Sequence, residues 1–211
     1  MNAQLKAAQV LARDPGSGGY RTTDLRALPG DGPRYELIEG CVVVSPPPSA
    51  AETAVWRWLA STFEVANRGS PLVVDRAQPV RIGEHDEVRP DVVVAHVALA
   101  ETTPIPVGAL TLAVEVVSPR SVLRDTVTKR ALYARAGVPA YWIVAPRRRP
   151  LGVEVTELRR DAVTGAYAER TPATSATFRT DHPWTVMVDV PALAAHWSAV
   201  VSQAAVDGEV I

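Results

Sequence analysis

The stretch "LAVEVVSPRSVLRDTVTKRALYARAGVPAYWIV", Leu112 to Val144, reads as strand, helix, strand. Its opening strand includes the preceding Leu110 and Thr111. Leu110, Leu112, Val114 and Val116 line one face, and Thr111, Ala113, Glu115 and Val117 the other. Glu115 interrupts an otherwise apolar run. A carboxylate placed there loses its hydration, at a cost of several kcal/mol unless it is paired or bound to a metal. A helix is expected over 122–136, stopped at Gly137, and "AYWIVA" (Ala140 to Ala145) is the next strand.

Working back from this stretch, strands are expected at about 72–75, 78–82, 89–95 and 110–117. A helix precedes them from Ser49, with Val55, Leu59, Thr62, Phe63 and Ala66 at helical spacing and Asn67-Arg68-Gly69 at its end. "YELIEGCVVVS" (Tyr35 to Ser45) forms two short strands turning at Glu39-Gly40, closed by Pro46 to Pro48. Residues 1–33, with "DPGSGG" and "LPGDGP", read as an N-terminal arm that opens with a short helix. Beyond "PRRRP" (Pro146 to Pro150), alternating segments near 152–159, 166–171 and 184–189 predict an antiparallel extension, and Pro191 opens a final helix. The fold expected is α/β, a single domain over 34–211. Its α-β-β-β-α-β core has a mixed sheet flanked by helices.

With 211 residues, 47% of them hydrophobic, the chain can bury a sizeable core. The net charge of −1 supplies no global field to attract nucleic acid, so any such contact must rest on a local patch. Cys41 alone cannot form an internal disulfide, and the four histidines lack zinc spacing. No apolar run approaches the roughly 20 residues of a membrane span. The first residues lack the apolar core of a secretory signal, which predicts a cytoplasmic protein.

Asp91 opens the apolar strand "DVVVA", next to the strand carrying Glu115. Two carboxylates converging in a dry site repel each other unless a divalent cation neutralises both. Oxygen-only ligation suits Mg²⁺ or Mn²⁺, with the Val116 carbonyl as a further ligand. On the helix, Asp125, Lys129 and Tyr133 fall at i, i+4 and i+8 and share a face with Val122, Leu132 and Ala136, which aims Lys129 inward. The bland alternatives are an Asp125–Lys129 surface pair, an Asp91 turn cap and an arginine partner for Glu115.

"RPDVVV", "LAVEVVSPRS" and "DTVTKRALYARAGVPAYWIV", with "YELIEGCVVVSPPPS" ahead of them, resemble the Uma-two family of restriction-endonuclease-like proteins. That family is a branch of the PD-(D/E)xK phosphodiesterase superfamily, and the resemblance covers roughly residues 20–190. It implies that Asp91 and Glu115 bind the metal. The superfamily lysine normally stands where this chain has Val117; the Uma-two pattern takes it from the following helix, which matches Lys129. Glu36 matches an acidic position that extends the site. Glu52 stands where the family usually has a histidine, and Ser49-Ala50-Ala51-Glu52 also fits a helix capping box.

The function implied is a Mg²⁺-dependent endonuclease acting on DNA. Asp91, Glu115 and Lys129 are its catalytic residues, with Glu36, Glu52, Asp125 and Tyr133 as accessory ones. Arg120, Arg124 and Arg130 would bind phosphate, unless they form a solvated helix face. A homodimer is expected. Alanine at Lys129 is expected to remove cleavage and leave the fold intact. The competing readings are a catalytically inactive scaffold or regulatory module on the same fold, and hydrolysis of a smaller phosphodiester.

Overall fold

The computed structural model describes residues 11–12, 16, 18–30, 33–99 and 102–206. The helix expected at the head of the arm lies outside them. From Gly18 onward the arm packs on the body of the protein. A short helix α1 (Thr22–Leu25) brings Leu25 and Leu28 against Leu37. Leu37 belongs to the hairpin of β1 (Arg34–Ile38) and β2 (Cys41–Ser45), antiparallel as expected. Its two-residue turn needs positive φ at both positions: Glu39 has 50° and Gly40 has 74°.

Helix α2 (Ala50–Ala66) is followed by strands β3 (Leu72–Arg76), β4 (Val80–Arg81), β5 (Glu87–Val88) and β6 (Val92–His96). Next come β7 (Ile105–Pro106) and β8 (Leu110–Val116). A π-helical turn over Arg124–Thr128 leads into helix α3 (Lys129–Arg135). The rest comprises β9 (Ala140–Arg148), β10 (Leu151–Arg160), β11 (Tyr167–Thr174), β12 (Phe178–Thr180), β13 (Val186–Val188) and helix α4 (Val190–Val206). Among the described residues no helix is long and apolar enough to cross a membrane.

Six strands form one mixed sheet in the order β11-β10-β9-β8-β6-β3, in which only β8 and β9 run parallel. With α2 and α3 they give the α-β-β-β-α-β order read from the sequence, and β10 and β11 are two of the three segments expected as an antiparallel extension. The third, near 184–189, gives β13, which pairs with β12 in a separate two-stranded sheet. The segment near 78–82 also departs from the expectation. Its two paired residues leave this sheet for a second one, β2-β1-β5-β4-β7. The short β5, β7 and β12 carried too little alternation to be read.

The two faces of β8 feed two separate cores. Leu112, Val114 and Val116 pack with Val55, Leu59, Phe63 and Trp142, under α2 and α4. Ala113 faces Leu132, Tyr133, Tyr141 and residues of the second sheet, including Val80 and Ile105. Each large apolar side chain so buried contributes about 1.5–3 kcal/mol. Glu115 stands on the second face, where the two sheets and α3 meet. That junction positions the site.

Candidate active site

Val92 pairs with Val114 and Val93 with Ala113, and Asp91, the residue just before β6, donates its N–H to the Val114 carbonyl at 3.0 Å, which sets it beside Glu115. Asp91 and Glu115 line the same cavity, and both are buried. Asp91 is fixed at both oxygens. Oδ2 accepts the Val116 N–H at 2.7 Å, and Oδ1 accepts Arg34 Nη1 at 3.1 Å.

Lys129 supplies the partner that Glu115 requires. Its ammonium donates to Glu115 Oε1 at 2.8 Å and lies 2.7 Å from Glu36 Oε1 and 3.9 Å from Asp125 Oδ1. Tyr133 donates its hydroxyl to the same Glu115 oxygen at 3.1 Å. Lys129 is only 2% exposed, so the solvated surface pair is excluded. Glu36 enters from β1 and also accepts the Arg89 N–H at 2.7 Å.

The π turn explains how one helix delivers these residues in line. In an α-helix of 3.6 residues per turn, positions four apart drift by about 40° per step. Here the Lys129 N–H reaches back to the Arg124 carbonyl, five residues away, which widens the turn and offsets that drift. Ser121, Asp125, Lys129 and Tyr133 are all buried. Val122, expected on this inward face, is exposed because the phase changes through the turn. Tyr141 on β9 donates to the Asp125 carbonyl at 2.7 Å and anchors the turn.

The protonation states follow from burial against these partners. Burial pushes Glu36 upward, but Lys129 and the Arg89 N–H outweigh it, and its pKa falls below the ordinary value. Burial raises Asp91 to about 6, against the pull of Arg34 and the Val116 N–H. Burial also raises Glu115 well above its usual range; Lys129 opposes this, while Asp125, Asp91 and Glu36 add to it. Lys129 is raised by the surrounding acids despite its burial. Four buried acids, Glu36, Asp91, Glu115 and Asp125, thus face one ammonium and the guanidiniums of Arg34 and Arg124.

A cavity of about 580 Å³ opens over this floor, with Pro46 to Pro48 along one wall. Arg120 and Arg124 line it. Arg124 donates to Ser45 Oγ at 3.1 Å and lies 3.9 Å from Glu36. Arg130 stands apart: it is absent from the lining and donates to the Tyr167 carbonyl at 3.2 Å, because its position on the helix turns it toward β11. Glu52 does line the cavity, but its carboxylate is held in the capping box. It accepts the Ser49 N–H at 2.7 Å, and its own N–H donates to Ser49 Oγ at 3.2 Å. Glu52→Ala is therefore expected to cost about 1 kcal/mol in a urea melt while leaving any cleavage rate within about twofold.

The sequence reading missed Arg34, Arg89 and Arg148, which also line the cavity. Arg34 and Glu36 are two apart on one strand, so their shared face was a usable signal. Arg89 adjoins Pro90-Asp91. Arg148 was hidden in a run read as a turn, whereas β9 continues through it.

The profile of the family described as "Uma2: Putative restriction endonuclease" matches residues 22–183. The chain belongs to the Uma2 family. A solved structure described as a "putative nuclease belonging to DUF820 from Anabaena variabilis ATCC 29413" is 15% identical, with a TM-score of 0.60. The match covers 83% of this chain and 97% of that one, and shows a shared fold. No curated protein matches. Within this Uma2 chain, the acids and the lysine that carried the sequence resemblance converge on one cavity.

Proposed function

We propose that this Uma2 protein is a divalent-metal-dependent endonuclease that hydrolyses DNA phosphodiester bonds. One observation carries the reading. Asp91, at the entry to β6, and Glu115, on the neighbouring β8, line one open cavity, with a buried lysine bonded to Glu115. The donor set fits a hard cation. It is all oxygen, and burial, which raises the pKa of both Asp91 and Glu115, leaves two desolvated carboxylates that a divalent cation would hold ionised. Among the described residues no three acidic, histidine or cysteine side chains form a ready-made cage. Two carboxylates and the Val116 carbonyl would hold Mg²⁺ or Mn²⁺ and leave positions for water and phosphate.

When bound, such a cation polarises the phosphoryl oxygen and lowers the pKa of water. Lys129, fixed between Glu36 and Glu115, places a permanent positive charge where the phosphorus gathers negative charge. Tyr133 fixes Glu115 through Oε1 and does not engage Oε2. The Val116 N–H and Arg34 hold Asp91 rigid. Arg120 and Arg124 orient the phosphate. Action in the cytoplasm and assembly as a homodimer belong to the same proposal.

One observation favours an inactive scaffold instead: Asp91, Glu36 and Lys129 already satisfy one another and their neighbours within the protein. Supercoiled plasmid separates the two readings. The endonuclease converts it to nicked and linear forms with Mg²⁺ or Mn²⁺, and does so neither in EDTA nor as Asp91→Asn. Intact plasmid with every divalent cation leaves the scaffold.

A further inference from the structure

The cavity rim differs from its floor in one respect. Arg89, between β5 and β6, Arg120, between β8 and the π turn, and Arg148, at the end of β9, all line it. Among the described residues, none of their guanidiniums makes a hydrogen bond or an ion pair with the protein. Arg34 and Arg124, by contrast, are committed to Asp91, Glu36, Asp125 and Ser45. Arg89 Nε is buried with no hydrogen-bond partner, an unsatisfied donor that costs stability. Three like charges converge from distant parts of the chain in a protein whose net charge is −1.

We infer that Arg89, Arg120 and Arg148 form a phosphate track that selects a nucleic-acid strand over a small phosphodiester. This rests on the nuclease reading and adds the residues that discriminate a strand from a smaller phosphodiester. A guanidinium matches a phosphate through paired N–H donors. A mononucleotide or dinucleotide carries too few phosphates to engage three of them. A strand lying across the cavity presents consecutive phosphates to the rim and sets one over the acidic floor. The attraction is local, so it substitutes for the field that the chain as a whole lacks.

Fluorescence anisotropy of the full chain in EDTA, with a short fluorescein-labelled duplex and its single strand, measures this without cleavage. The logarithm of affinity against that of NaCl concentration should fall with a slope of about −2 to −3. Each of Arg89→Gln, Arg120→Gln and Arg148→Gln should reduce the slope by about 0.9 for duplex or about 0.7 for single strand. Arg179→Gln, exposed on β12, should leave it unchanged. Unlabelled dinucleotide should compete poorly at equal phosphate concentration. A triple Arg→Gln variant that keeps the wild-type slope overturns the track, as does efficient competition by dinucleotide or absence of binding at low salt. Plasmid nicking with an unchanged slope rejects the track and keeps the nuclease. An arginine-dependent slope without nicking does the reverse.

Discussion

Lys129→Ala is expected to lower stability by about 3–5 kcal/mol and, with it, to abolish metal-dependent cleavage. The ammonium is buried between Glu36 and Glu115, at 2.7 and 2.8 Å. Removing it leaves Glu115 desolvated without a cation and Glu36 with only the more distant Arg124, 3.9 Å away. That is among the costliest single changes a folded chain can suffer. From these contacts the fold is expected to weaken, whereas the sequence alone led to the expectation that alanine spares it. Urea denaturation gives the stability change, and nicking assays run well below the variant's midpoint separate lost chemistry from lost structure. A triple change, Lys129→Met with Glu36→Gln and Glu115→Gln, removes the whole charged group at similar volume and should recover most of the stability but none of the cleavage. An alanine variant as stable as wild type would show that the two contacts carry no weight.

The metal-free protein should lose stability as pH rises from about 4 through 6 and above, and added Mn²⁺ should restore it. Asp91 is raised from its ordinary value to about 6 in the folded chain, and Glu115 is raised well beyond its own. The folded state then holds more protons than the unfolded one, so stability falls as those protons leave. For Asp91 alone the loss is on the order of 3 kcal/mol by neutral pH. Glu36 acts oppositely: its lowered pKa adds stability above the ordinary carboxylate value, and that gain is lost only toward acid pH. A cation that binds the folded site at a hundred times its dissociation constant returns about 2.7 kcal/mol. Glu115→Gln removes one of the two raised acids and leaves Lys129 bonded to Glu36. Its metal-free melting temperature should decline less with pH and respond little to Mn²⁺. Thermal melts of both proteins across pH, with EDTA and with Mn²⁺, test the pair of outcomes. A wild-type melt indifferent to the ion, beside a destabilised Gln variant, would leave Glu115 as a structural ion-pair residue.

The parts of this site that were legible in the sequence are those encoded locally. Alternation placed Glu115 inside β8, the i, i+4, i+8 spacing put Asp125, Lys129 and Tyr133 on one side of a helix, and the capping box at Ser49 was written in four residues. The unread parts depend on distant segments meeting. Arg34 reaches Asp91 across 57 positions, and the sheet that carries Glu36 is closed by strands of two residues, too short for any period. The π turn has no residue signature, because a five-residue backbone bond uses the same side chains as a four-residue one. Val122 was therefore assigned to the wrong face. Arg130 shows the matching limit: a basic residue beside the site in sequence can point to another strand in space.

Glu36 comes from the second sheet, Glu115 and Lys129 from the first sheet and its helix, and Arg148 from the far end of β9. During synthesis, at roughly 5–20 residues per second, Glu36 precedes Lys129 and Arg148 by several seconds. Until the later segments emerge, β8 lacks its parallel neighbour and Glu36 lacks its ammonium. A growing chain thus carries the pieces of the cavity without the cavity. Whatever chemistry the finished protein performs is withheld from the cell that makes it until the two sheets have closed on one lysine.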